Sequence, residues 1–386
     1  MKIVFVSNYL NHHQLPLCEA FIKENVDFKF ISIKRISEER RILNYEEMDY
    51  KYDFVVRGYE NDENYKLSLD LCLKADVAII SGAQKEFIKR RANCGKITFV
   101  YSERIYKEKV KAYKLPCHFF KHIIYKYHKA NVYLLCASSF ASADFSKSFT
   151  FLNRCYKWGY FPEIKRYFDV DKMFSEKKKN SILWVGRFID WKHPDSVIEI
   201  ARRLKKDGYS FSINIIGTGE EEEKLKSLII YYGLENEVML LGSMSSEKVR
   251  DYMENSEIFL FTSDRNEGWG AVLNESMNSG CAVIASHIIG SVPFLISDGE
   301  NGMIYKDGDV ENLYAKVKFL LDNPQKRAEI GKSAYTTLCE QWNAENAADR
   351  LIKLSQKILN GNKSPEIYDS GVCSKAKIIK DNWYSK

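Results

Sequence analysis

The chain has 386 residues, 45% apolar and 28% charged, which suits two ordinary domains with separate cores and excludes a disordered or fibrous chain. The net charge of +6 is mild for this length and does not by itself mark a nucleic-acid binder. The nine cysteines form no CxxC or CxxH pair, so they read as reduced thiols rather than a metal site or a disulfide framework.

No apolar run reaches the ~18 residues that a spanning helix needs. Met1–Val6 is too short for a signal-peptide core and reads as a first strand. The expected location is the cytoplasm. In the first half, short β-rich runs alternate with helical ones. Ile3–Ser7 is a strand, followed by the Asn8–His13 loop and a helix over about Gln14–Glu24. Asp27–Ile33, Asp76–Ser81, Lys96–Tyr101 and Asn131–Cys136 are further strands. Leu67–Lys74 and Gln84–Arg91 are helical, a long basic helical stretch runs to about Lys129, and Ser138 caps another helix. The pattern breaks near Tyr160-Phe161-Pro162-Glu163, and the polar stretch to Asn180 reads as a linker. Alternation restarts with strands at Ser181–Val185, Ser210–Ile216, Glu237–Leu241, Glu257–Phe261 and Ala282–Ala285. Asp322-Asn323-Pro324 opens a helical C-terminal section that ends in the amphipathic helix Ala344–Leu359. Strands alternating with helices predict two α/β domains with parallel sheets. Their boundaries fall at 1–162 and 181–343, with a linker over 163–180 and a helix plus polar tail over 344–386.

The most informative stretch runs from Ser263 to Glu275. A strand leads into a polar turn containing Asn266, Glu267, Gly268, Trp269 and Gly270, and a helical pattern follows. In parallel α/β sheets the carboxyl ends of strands are where ligands bind. Gly268 and Gly270 let backbone approach a ligand, and a helix start offers unpaired N–H groups. Glu267 and Glu275, eight positions apart, span at most ~12 Å if mostly helical. Two carboxylates working as an acid/base pair on one bond sit ~5–9.5 Å apart, so these two fit better as grips on different parts of one ligand. The plainer alternative is one Glu at a helix N-terminus and one on a helix surface.

Arg187 follows Gly186 directly after the Ser181–Val185 strand, and Lys192 lies five residues on. An Arg fork and a Lys point charge suit a diphosphate, although a pair of solvated surface cations has the same sequence. Gly217-Thr218-Gly219 resembles the start of a dinucleotide fingerprint, but the third glycine is absent and Glu220–Glu223 would repel a pyrophosphate. A tight turn fits better. In the first half, Asn11-His12-His13 follows the first strand, and His12 reads equally as a phosphate or hydroxyl contact and as a surface histidine. Glu103 closes the Lys96–Tyr101 strand, where it would either meet substrate or pair with Arg104. His118 reads as a packed or surface histidine. Residues 104–129 interleave Lys107, Lys109, Lys111, Lys114, Lys121, Lys126 and Lys129 with Phe119, Phe120, Tyr125 and Tyr127. Such a segment suits an anionic membrane or is simply a solvated basic face; no nucleic-acid module accompanies it, and no nucleic-acid partner is expected.

Taken in order, Gly186-Arg187-Phe188 with Lys192, Gly217-Thr218-Gly219, Leu241-Gly242-Ser243, Glu267 with Glu275, Ser279–Ala285 and Asp298–Gly302 resemble the retaining nucleotide-sugar glycosyltransferases of family 4, the glycosyl transferases group 1. The resemblance covers nearly all of residues 181–360, whereas the N-terminal half matches in architecture more than in motif and lacks the family's Gly-Gly loop. It implies the glycosyltransferase B fold, two Rossmann-like domains facing across a cleft, with the last helix returning to the N-terminal domain. It implies Glu267 toward the donor sugar, Glu275 toward the ribose, Arg187 and Lys192 on the diphosphate, and Gly242 and Ser243 near the base. Asn266, Gly268, Trp269, Gly270, Gly186 and Gly217 complete the donor set, and His12 and Glu103 stand on the acceptor side. The implied reaction is front-face transfer from a nucleotide diphosphate sugar to a glycan or lipid-linked acceptor, in cell-surface polysaccharide synthesis, without metal or cofactor. The implied location is cytoplasmic, with peripheral contact to the inner face of the membrane. A nucleotide-sugar 2-epimerase of the same fold and a non-catalytic scaffold subunit are the alternatives.

Overall fold

The computed structural model describes residues 1–37, 47–108 and 110–384, so Lys109 of the basic stretch lies outside the described residues. The chain divides into two units, one of residues 1–163 with 342–380, the other of residues 164–341 with the segment from Asp381.

Seven parallel strands form the sheet of the first unit: β1 (Lys2–Ser7), β2 (Asp27–Ser32), β3 (Val55–Arg57), β4 (Val77–Ser81), β5 (Ile97–Ser102), β6 (Val132–Cys136) and β7 (Cys155–Lys157), in spatial order β3-β2-β1-β4-β5-β6-β7. The central strands are nearly continuous apolar runs because helices cover both faces of a parallel sheet. Ile3, Phe5 and Val6 of β1, with Val77 to Ile80 of β4, are almost wholly buried. β1 pairs with β2 on one side and β4 on the other, so the connection reverses direction beside β1.

The second unit repeats the plan with β8 (Lys178–Val185), β9 (Ser212–Ile216), β10 (Val238–Leu240), β11 (Ser256–Phe261), β12 (Ala282–Ser286) and β13 (Met303–Tyr305), in order β10-β9-β8-β11-β12-β13. β8 and β11 are adjacent at the centre, with Ile258 opposite Ile182 and Phe259 opposite Leu183. The chain winds outward in opposite directions from this pair, which makes the crevice beyond their carboxyl ends the topological switch point. The short strands β3, β7 and β13 at sheet edges are not among the strands read from the sequence.

Four sequence expectations need correction. The supposed linker 163–180 belongs to the second unit from Ile164 onward and contains the helix Val170–Ser175, capped by Asp169. Its lysines look solvated in sequence but are used structurally. The buried Lys177 ammonium lies 2.8–3.3 Å from the carbonyls of Met253, Glu254, Ser256 and Ser279, and Lys165 pairs with Glu254 at 2.6 Å. Residues 104–129 are not one long helix; among the described residues of this span only Leu115–Ile124 is α-helical, after a 3-10 turn at Ala112–Lys114. Pro116 suits a helix start, and the preceding backbone is held in a loop by Asp144, which accepts from the N–H groups of Ile105 and Tyr106. Ser138 does not cap by its side chain, since the helix Ala141–Ser146 begins after Phe140. The polar tail is packed: Lys157 N donates to Ser374 O at 2.8 Å and Ala376 N to Cys155 O at 3.0 Å, extending the edge of β7.

The helix Ala344–Leu359 is capped by Asn343 and buries Ala347, Ala348, Leu351 and Leu354. Within the first unit it packs against the helix Leu15–Lys23, and Lys23 pairs with Glu345 at 2.7 Å.

Candidate functional site

At the switch point of the second unit, β8 ends in Val185 and runs through Gly186, Arg187 and Phe188 into a 3-10 turn, Asp190–Lys192. β11 ends in Phe261 and runs through Thr262 and Ser263 into the glycine-rich loop. The two loops are tied together. Trp184 Nε1 donates to Thr262 Oγ1 at 2.8 Å, Thr262 Oγ1 donates to Lys192 O at 2.6 Å, and Asp264 N donates to Trp191 O at 2.9 Å. This network fixes the Lys192 backbone, and its side chain points back to Glu267, with Nζ 2.7 Å from Oε2. Ser263 Oγ donates to the same carboxylate oxygen at 3.0 Å. Both charged side chains are 13% exposed, so the pair is screened little by solvent.

Gly186 is required beneath this pair. A Cβ there would lie 2.9 Å from the Trp184 ring and 3.2 Å from Lys192 Cδ, so the glycine makes room for the lysine stem. Arg187 is exposed and pairs with no carboxylate among the described residues, which leaves its five donors to solvent or a ligand. Gly217 has φ +144°, and a Cβ would lie 1.8 Å from Gly186 O; it permits close passage of two loops, with Gly186 N donating to Ile216 O and Phe188 N to Thr218 O. Its place is therefore backbone packing under Arg187. Gly242 adopts φ +69° with open space around it and accepts from Gly217 N at 2.9 Å, while Ser243 is exposed beside it.

The loop after Glu267 is anchored from inside. Trp269 is fully buried, with Nε1 donating to Asn274 Oδ1 at 2.9 Å, and its carbonyl accepts from Ser291 Oγ at 2.6 Å. Its side chain is thus a core anchor, which leaves only its backbone to the donor set. Burial of the indole outweighs any use as a wall. Gly268 is buried, and Gly270 at φ +80° packs against the Phe261 ring. Asn266 N and Nδ2 both donate to the Asp264 carboxylate, at 2.7 and 3.2 Å, so Asn266 shapes the turn. Glu275 lies on the helix Val272–Asn278. It keeps part of its surface open, yet the protein packed around it pushes its carboxyl up to about 7, while Arg250 pulls the other way.

Sequence reasoning missed Thr262 and the C-terminal segment, and took Ser263 only as the start of the loop. Arg265 of the loop pairs with Asp381 at 3.1 Å, Trp383 Nε1 donates to His287 O at 3.0 Å and Tyr384 OH to Ile304 O at 2.6 Å. Aromatic residues in an otherwise polar tail were the available signal.

In the first unit, the loop after β1 carries the histidines. His13 N donates to Asn11 Oδ1 at 3.0 Å, and Gln84 after β4 donates to Asn8 Oδ1 at 2.8 Å. His12 is exposed, with its ring 3.7 Å from that of His13. His13 stacks on Tyr160 at 5.6 Å, and Tyr160 OH donates to Glu103 Oε1. Glu103 therefore joins His13 through Tyr160, a residue the sequence did not single out. Arg104 turns instead to Asp144, Nε to Oδ2 at 3.8 Å, with both side chains almost fully buried. His118 is half-buried against Tyr106.

Two Rossmann-like units, one with two cations and a carboxylate at the carboxyl ends of its central strands, define a doubly wound α/β protein of two units. Residues 166–337, nearly the whole of the second unit, match the model of the glycosyl transferases group 1. The chain is 30% identical over 193 residues to an uncharacterised glycosyltransferase of Methanocaldococcus jannaschii, covering 49% of each. It is 34% identical over 182 residues to the amylovoran biosynthesis glycosyltransferase AmsK of Erwinia amylovora, covering 46% of this chain and 44% of AmsK. The chain thus spans about half the length of the curated relatives it matches. Among solved structures, Anabaena HepE in complex with UDP superposes with a TM-score of 0.63 at 14% identity, covering 95% of this chain and all of that one. The lipopolysaccharide outer core galactosyltransferase WaaB gives 0.65 at 17% identity, covering 92% and 100%. These likenesses show the glycosyltransferase B fold.

Proposed function

We propose that this protein is a retaining glycosyltransferase that moves a sugar from a nucleotide diphosphate sugar to an acceptor hydroxyl, without a metal ion, in polysaccharide or cell-surface glycan synthesis. The observation that carries the reading is the pairing of Lys192 with Glu267 at the switch point, on whose β8 loop Arg187 is exposed and pairs with no carboxylate among the described residues. Arg187 and Lys192 take up charge on the departing diphosphate, where preorganised cations act most strongly. Glu267 accepts a hydrogen bond from a donor-sugar hydroxyl, and Glu275 accepts from the ribose. Gly242 and Ser243 border the base. The leaving phosphate oxygen takes the acceptor's proton, so no separate protein base is assigned. His12 and Glu103 serve the acceptor side of the first unit.

Relatives named for amylovoran synthesis and for poly(ribitol-phosphate) glycosylation support a polymer or lipid-linked acceptor. HepE solved with UDP-glucose makes uridine compounds the first donors to test. The basic stretch 104–129 supports peripheral contact with an anionic membrane on its cytoplasmic face. A thermal-shift panel of uridine, guanosine and adenosine diphosphate sugars tests the donor reading, and one class should raise the melting temperature in a concentration-dependent way. Failure of every nucleotide to do so sinks it. NMR of the product anomer tests retention, and activity unchanged by a chelator tests metal independence.

A further inference from the structure

We infer that the first unit docks on an anionic bilayer through a two-part apolar surface, in which the loop Ser148–Leu152 inserts beside the helix Leu115–Ile124. This sharpens the membrane contact proposed above and does not depend on the donor chemistry.

The helix is turned outward. Its one buried residue is His122, whereas Phe120, Ile123 and Ile124 are 63%, 41% and 56% exposed, and Tyr113 just before it is 71% exposed. Soluble proteins rarely leave a contiguous apolar patch of this kind without a partner. The loop is fastened to the helix at His122, whose Nδ1 lies 2.8 Å from Ser148 Oγ and 3.0 Å from Thr150 Oγ1. Between those two anchors Phe149 adopts φ +52° and is 68% exposed. Phe151 adopts φ +53° and is fully buried, its ring 5.1 Å from those of Tyr127 and Phe145. Leu152 is again about half exposed. A bulky side chain in the left-handed region is strained. Here the strained backbone projects Phe149 outward while its neighbour holds the loop to the core, a disposition that gains nothing for folding.

Charge selects the occupant. The sequence has no acidic residue between Glu108 and Asp144, while Lys111, Lys114 and Lys121 in that interval are exposed, as is Lys107. A second copy docked by the same face would set lysines against lysines across a two-fold axis. An anionic lipid surface accepts both the cations and the aromatic and aliphatic tips. Among the described residues no helix is long and apolar enough to cross a membrane, so the contact lies in the interface.

The test is flotation of the full chain with vesicles of phosphatidylcholine alone or mixed with phosphatidylglycerol. The chain should float with the mixed vesicles only and be released by salt. Phe149→Ser with Leu152→Ser should weaken binding by roughly tenfold or more, with the melting temperature and nucleotide binding unchanged. Lys111→Glu with Lys114→Glu should weaken it by about fivefold or more per lysine. Equal flotation with neutral vesicles, or undiminished flotation of the Phe149/Leu152 variant, overturns the proposal. A concentration-dependent dimer abolished by that variant overturns it in favour of a second copy. A chain that floats as expected yet binds no nucleotide upholds it while sinking the donor reading.

Discussion

Lys192 Nζ lies 2.7 Å from Glu267 Oε2, so the residue assigned to phosphate and the residue assigned to sugar are bonded to each other. The two roles are compatible, because an ammonium has three donors and a carboxylate several acceptor sites. They are also coupled, since removing either partner leaves a little-solvated charge. Lys192→Ala and Glu267→Gln should each lower kcat by about 10²-fold or more. Each should also cost stability, about 1.5–3 kcal/mol for the lost charged hydrogen bond. Their double variant should be less destabilised than the sum. Urea unfolding of the four forms measures the coupling, and additive losses would show that the pair contributes no mutual energy.

Arg187 separates the two effects. It is exposed and pairs with no carboxylate among the described residues, so Arg187→Ala should leave the unfolding curve unchanged while lowering transfer by about 10²-fold. Transfer at the wild-type rate in this variant would remove the phosphate role from Arg187.

Glu275 should make nucleotide binding pH-dependent. Its ordinary value of 4.5 is raised to about 7, so near neutrality the carboxyl is partly protonated. A ribose hydroxyl that donates to it favours the ionised form. Binding should therefore strengthen as pH rises through 7 and release protons, detectable by calorimetry in buffers of different ionisation enthalpy. Glu275→Gln should abolish the proton release. The sign for stability is opposite: the folded state holds this proton longer than the unfolded one, so stability falls as pH rises from about 4.5 to about 7.

Much of this was legible because long parallel strands and glycine-punctuated loops leave local signatures. Gly186, Arg187, Lys192 and Glu267 all fall at strand ends that a run of apolar residues already marks. What sequence could not show was direction. Trp269 and Lys177 look like a donor-site residue and a linker cation, but their side chains are a core anchor and a carbonyl clamp, a direction that only the folded backbone sets. Tyr160 was invisible for the same reason: its link between His13 and Glu103 exists only once β1 and β5 are laid in one sheet.

Two of the glycines named for the donor site, Gly217 and Gly242, differ in what they can tolerate. At Gly217 an added Cβ meets a backbone carbonyl at 1.8 Å, and neither loop can move without breaking the bonds that join them. Gly217→Ala should destabilise the second unit by about 3 kcal/mol or more. At Gly242 nothing lies within 4 Å of the added carbon, so Gly242→Ala should cost only the left-handed backbone, about 1–2 kcal/mol. Thermal unfolding compares them directly, and equal losses would mean that strain at φ, not the Gly217–Gly186 approach, governs both.

His122 predicts acid sensitivity in the first unit. Burial lowers its pKa to about 4 from 6.5, aided by Lys85, His118 and His128. The folded state therefore binds this proton less readily than the unfolded state. The stability tied to neutral His122 is fully present above pH 6.5 and is lost as pH falls through about 4. The shift corresponds to at most about 3 kcal/mol. Ser148 Oγ and Thr150 Oγ1 already donate to the carbonyls of Phe145 and Ser148, so Nδ1 is the donor to them in the neutral ring and the acid proton is added at Nε2. The melting temperature should fall as pH is lowered over this range, and His122→Asn, which keeps a polar partner but cannot titrate, should flatten the slope. An unchanged slope in that variant would assign the acid sensitivity to other groups.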